Sequence, residues 1–173
     1  MYLISAYFDE NTNKILKHLQ QRIADKTGND FMIRNNVMPH LTISAIEARN
    51  IDVLIPEFEK VCRGKLQPLE EKSVANNTIN IVSLGQLFPR VIYAAPVLNE
   101  YMMNLSIPET NISKFYQPYS WMPHITLVKC LEKEQMRQAF AVLQDLFMPI
   151  DGRITKIGLS TVNPYREVMS VAL

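Results

Sequence analysis

The heptapeptide MPHLTIS at residues 38–44 returns as MPHITLV at 122–128, 84 residues later in a chain of 173. A repeat at close to half the chain length constrains the fold more than any local propensity, because both copies must form the same element in equivalent surroundings. The flanking pattern repeats as well. In the first half YLISAYF reads as a strand, and Asn11 to Lys26 as a helix with Ile15, Leu16, Leu19 and Ile23 on one stripe. HLTISAI follows as a short alternating strand. Leu54 to Arg63 then reads as a helix carrying Leu54, Ile55, Phe58, Val61 and Cys62, with Pro56 in its first turn and Gly64 just beyond its end. LQPLEEKSVA and TINIVSLG close this half as a hairpin across Asn76 and Asn77.

The second half restarts the pattern. RVIYAA is a strand, and Pro96 suits the first position of a helix bearing Val97, Leu98, Tyr101, Met102 and Leu105. HITLVKC is the second histidine strand, and Lys133 to Phe147 a helix with Met136, Phe140, Leu143 and Phe147 at helical spacing. RITKIGLSTV and EVMSVAL end the chain as strands around the turn NPYR. The expected architecture is therefore α+β, one domain over residues 1–173 with lobe-like halves of about 1–85 and 86–173. Such a bilobal, duplicated fold has pseudo-two-fold symmetry, and His40 and His124 would face each other across its axis.

Charge narrows the partners. The formal net charge is +1, which provides no broad field for a long nucleic-acid duplex, whereas a nucleotide or short RNA end needs only a local basic pocket. Cys62 and Cys130 lie in unrelated contexts without a C-x-x-C pairing, and Asp9 and Glu10 interrupt the N-terminal stretch before a signal core forms. No apolar run reaches membrane-spanning length, so the expectation is a cytoplasmic chain with reduced thiols and no membrane association. The absence of heptads makes a monomer the expected state.

On a strand, alternate side chains share a face. His40 and Thr42 thus point one way while Leu41 and Ile43 point the other, and His124 and Thr126 oppose Ile125 and Leu127 in the same manner. Pro39 and Pro123 suit the start of a strand, where a missing N–H costs no ladder bond. Two imidazoles and two hydroxyls in a cleft match the needs of phosphodiester cleavage: a base for the nucleophile, an acid for the leaving oxygen, and neutral donors for the phosphate. Histidine suits both proton roles, since its ordinary pKa of about 6.5 lets one copy be neutral while the other is charged. His18, on a helix flank among polar neighbours, reads as solvated. A metal site fits less well, because neither motif has a second ligand at helical spacing and hydroxyls are poor zinc ligands.

The pair HLTI and HITL, half a chain apart, resembles the signature of the two-histidine phosphoesterase superfamily, which includes cyclic phosphodiesterases and the bacterial proteins called 2′-5′ RNA ligases. The resemblance covers both motifs, the size and the duplicated order of elements. It implies antiparallel sheets lining a central cleft with helices outside, and metal-independent hydrolysis of 2′,3′-cyclic phosphates, 2′-5′ linkages or related nucleotide and RNA phosphodiesters, without a cofactor. It also implies that His40 and His124 are the acid/base pair and that Thr42 and Thr126 bind phosphate oxygens. Around them, Tyr116, Tyr119 and Trp121 in KFYQPYSWMPH offer rings that either stack on a base or close the core. Arg34 is the better placed cation, because Lys129 lies five positions beyond His124 and points to the opposite face of a regular strand. The alternative from another class is a catalytically weak nucleotide or RNA-end binding protein using the same cleft; a third is an interaction module in which the motifs are only scaffolding.

Overall fold

A computed structural model describes residues 1–56, 58, 59, 62, 77–105 and 121–173 of the chain. Strand β1 (Tyr2–Phe8) leads into helix α1 (Glu10–Thr27), a short helix α2 (Phe31–Arg34) and strand β2 (Leu41–Ile46). A 3₁₀ turn at Ile51–Val53 precedes strands β3 (Thr78–Leu87) and β4 (Val91–Pro96). Helix α3 (Glu100–Leu105), strand β5 (Ile125–Val128), helix α4 (Lys133–Leu146) and strands β6 (Ile150–Val162) and β7 (Tyr165–Ala172) complete the order. No helix among the described residues is long and apolar enough to cross a membrane.

The strands form a seven-stranded antiparallel sheet in the order β1-β2-β5-β4-β3-β6-β7, with β1 also paired to β6, so the ladder returns to its first strand. Strand β6 makes this possible by changing partners along its length. Its residues 150–153 pair with β3, and those from Ile154 onward pair with β1 and β7. The two histidine strands meet at one point, where Leu41 stands opposite Ile125. These two residues occupy the same position in the two repeated heptapeptides.

The helices follow from their apolar stripes. Leu16, Leu19 and Ile23 of α1 and Met136, Ala139 and Leu143 of α4 are buried, and the two helices pack on each other, with α1 also against β5 and β6. Asp9 caps α1, its carboxylate accepting from the Thr12 N–H at 3.0 Å and the Thr12 hydroxyl at 2.7 Å. It also accepts from the Arg153 N–H at 2.7 Å, tying the helix start to β6. Burial pushes this carboxyl up, but the bonds from Thr12 and Arg153 outweigh it and leave the pKa below the usual value. Gly28, at φ 71°, ends α1 in the left-handed conformation with its N–H bonded to the Ala24 carbonyl. One buried cluster joins residues of both halves, from Ile4 and Leu41 to Ile125 and Leu159.

Several expectations need correction. Pro96 does not open a helix: it closes β4, opposite Ile81, and Val97 and Leu98 beyond it are exposed. Helix α3 starts later because the Asn99 side chain accepts from the Met102 N–H at 2.8 Å, a cap that sets the first turn while Asn99 Nδ2 donates to the Thr78 carbonyl. The expected boundary near Gly85 falls inside β3, where Gly85 is in register with Tyr93 of β4. β3 pairs with β4 and β6, and its expected hairpin partner at 66–75 lies outside the described residues. So does part of the expected 54–63 helix, although Leu54, Phe58 and Cys62 are all buried on the core as its stripe requires.

Candidate active site

The two heptapeptides are buried alike from the proline through the second aliphatic residue. Pro39 and Pro123 are buried, His40 and His124 are partly exposed, Leu41 and Ile125 are fully buried, Thr42 and Thr126 are partly exposed, and Ile43 and Leu127 are buried. The alternation follows from the strand period, since the aliphatic residues face the core and the polar pair the opposite side. Both imidazoles are oriented by the same bond. His40 Nδ1 lies 2.7 Å from the Met38 carbonyl, and His124 Nδ1 lies 2.9 Å from the Met122 carbonyl. A carbonyl only accepts, so each Nδ1 carries the proton and each Nε2 is the nitrogen available for proton transfer.

The threonines are held through their backbones. The Trp121 indole N–H donates to the Thr42 carbonyl at 3.1 Å, and Gln20 Nε2 donates to the Thr126 carbonyl at 3.4 Å. Among the described residues no protein hydrogen bond engages either threonine hydroxyl, which leaves both able to donate to a ligand. Ser5 stands opposite Thr42 on β1, and Tyr93 opposite Thr126 on β4, so each shares the face of its threonine. A glycine completes each row. Gly158 of β6 is opposite Ser5, and Gly85 of β3 is opposite Tyr93, where an added Cβ would collide with the Tyr93 ring.

Electrostatics ties the two histidines together. Burial holds the His40 pKa below its ordinary value despite the Met38 carbonyl, which raises it; positive charge on His124 and Lys129 lowers it further. The charge on the second histidine therefore reaches the first.

Tyrosines surround the histidines, and their roles are not visible in any motif. Tyr165 stacks on His40 with ring centroids 5.6 Å apart and planes 19° from parallel. Tyr7 lies 6.2 Å from the same ring, tilted by 48°, and its hydroxyl is 2.8 Å from that of Tyr165. Tyr93 meets His124 edge-on at 5.4 Å. Strand alternation could have found Tyr7, which shares the face of Ser5, whereas Tyr165 reaches His40 only through the β6–β7 turn.

The remaining candidates are placed as follows. Arg34 lies at the end of α2, 68 % exposed at its side chain, and pairs with Asp30 at 3.5 Å rather than with the histidines. Lys129 follows the last residue of β5, so strand alternation does not govern it; its ammonium sits 4.7 Å over the Phe31 ring and its charge bears on His40. Trp121 packs against the core while its N–H links the segment before β5 to β2. Tyr116 and Tyr119 lie outside the described residues. Cys62 and Cys130 are free thiols, the first buried and pushed up to about 11 by desolvation, with Glu59 adding to the shift. No cluster of three or more His, Cys, Asp or Glu side chains fit to hold a metal occurs among the described residues. Neither a family model nor a curated protein matches this chain.

Proposed function

We propose that this chain is a metal-independent phosphoesterase that hydrolyses 2′,3′-cyclic phosphates, 2′-5′ linkages or related nucleotide and RNA phosphodiester bonds by two-histidine acid/base catalysis. The observation that carries this reading is the matched posture of His40-x-Thr42 and His124-x-Thr126. Each imidazole commits Nδ1 to the carbonyl two residues back and leaves Nε2 for proton transfer, and each neighbouring hydroxyl is unengaged among the described residues. In this reading one histidine takes a proton from water as the other protonates the departing ribose oxygen, and the threonines donate to the nonbridging oxygens.

The fold belongs to the same proposal. We read the chain as two duplicated lobes about a pseudo-two-fold axis passing between Leu41 and Ile125. Its support is that these equivalent residues pair with each other, and that β1–β2 and β4–β5 form matching pairs beside them. A monomer acting in the cytoplasm on a nucleotide or short RNA end fits the neutral charge balance.

The test is turnover of a panel of 2′,3′-cyclic nucleotides and 2′-5′ linked dinucleotides in excess chelator. His40→Ala and His124→Ala should each lose about 10²–10⁴-fold in kcat, the usual contribution of a general acid or base. Activity surviving both substitutions would overturn the mechanism. Nucleotide binding without turnover, weakened by the same substitutions, would instead identify a binding protein.

A further inference from the structure

The two histidines are alike in backbone but not in surroundings. His40 has the Tyr165 ring stacked on it and Tyr7 tilted against it, and the two phenols are hydrogen-bonded to each other. His124 has an edge contact with Tyr93. The two tyrosines come from β1 and β7, strands that flank β6, and thus form one wall.

We propose that Tyr165 and Tyr7 are positioning residues that break the symmetry of the site, making His40 the proton acceptor and His124 the proton donor. The proposal rests on the two-histidine reading above. Rings stacked on an imidazole exclude water from it and disfavour its charged form, unless an anion compensates. Among the described residues the groups facing His40 supply none. From β1 and β7 come two phenols, each kept neutral because burial raises its pKa; from the segments flanking β5 come His124 and Lys129, both of which oppose a positive charge. Glu167, the carboxylate of β7 on this wall, pairs at 2.7 Å with Lys156, whose ammonium lies 4.8 Å over the Tyr7 ring. His40 therefore rests neutral with its Nε2 lone pair available.

The step balances. As the oxygen of water bonds to phosphorus, its proton passes to His40 Nε2, the bond from phosphorus to one ribose oxygen breaks, and that oxygen takes the proton from His124 Nε2. A cyclic phosphate becomes a phosphomonoester, His40 is left charged and His124 neutral, and exchange with solvent restores the starting state.

Replacing the leaving ribose oxygen of a 2′,3′-cyclic nucleotide by sulfur separates the roles, because a thiolate leaves without an acid. His124→Ala should recover most of its loss on the sulfur substrate, and His40→Ala should recover none. Recovery by His40→Ala, or the same response from both variants, would overturn the assignment. Failure of the wild type to cleave the oxygen substrate would instead refute the two-histidine reading. A second arm tests the wall. Tyr165→Ser should move the acidic limb of kcat/KM, and the NMR titration of His40, to higher pH by more than about half a unit. Tyr165→Phe, which keeps the ring, should leave both near the wild-type position. An unmoved limb and titration in Tyr165→Ser would show that the ring only fills space.

Discussion

His40 shows how one side chain carries both a stability and a chemical consequence. Its folded pKa is depressed by burial and by the charges of His124 and Lys129. The unfolded chain, with its ordinary value of about 6.5, then binds more protons than the folded chain below that pH. The contribution is fully present above about 6.5 and is lost as pH falls from there toward the folded pKa. Urea titrations of the wild type should therefore show stability decreasing as pH falls below about 6.5, and His40→Gln should flatten that slope. Asp9 does not confuse this window, because a carboxyl with a lowered pKa gives up its stabilisation only below about pH 4. An unchanged slope in His40→Gln would show that another group titrates there.

Among the elements, the contact between β3 and β4 illustrates how a missing side chain positions a ring. Gly85 faces Tyr93, and the Tyr93 ring fills the volume that any Cβ at position 85 would occupy. The same ring meets His124 at its edge. Gly85→Ala should push Tyr93 off His124 and cost about 1–3 kcal/mol of stability, as overpacking of a close contact does. It should also lower turnover of the cyclic phosphate. Chemical denaturation and steady-state kinetics on the one variant check both, and unchanged values for each would mean that the ring is not seated by the glycine. Gly158, opposite Ser5 on β1, meets Tyr7 in a comparable way, so a glycine opens the row beside each of the two threonines.

The whole molecule is held together across its halves, through Leu41 opposite Ile125, β3 beside β4, and β6 bridging β3 to β1. Leu41 and Ile125 are both fully buried in the one core cluster. Leu41→Ala should therefore lower stability by about 2–5 kcal/mol, in a single transition. Fluorescence of Trp121, the only tryptophan, and far-UV circular dichroism should report the same midpoint. Two separated midpoints would mean that the halves unfold independently. The alternation of His, aliphatic, Thr, aliphatic was legible in the chain because a strand has a period of two, and burial at each position follows it. So were most of the apolar stripes of α1 and α4, which depend on helical spacing, although Ile15, expected on the α1 stripe, is exposed at the edge of the buried face. The start of α3 was not, because Asn99 caps it with a side chain whose value over Pro96 depends on β4 ending where it does. Nor was the wall around His40. Tyr7 and Tyr165 are 158 residues apart, and only the pairing of β1, β6 and β7 brings their hydroxyls within 2.8 Å. Local periodicity sets which way a side chain points, whereas which distant side chain it meets is decided by strand register, and register is settled only when the whole sheet closes.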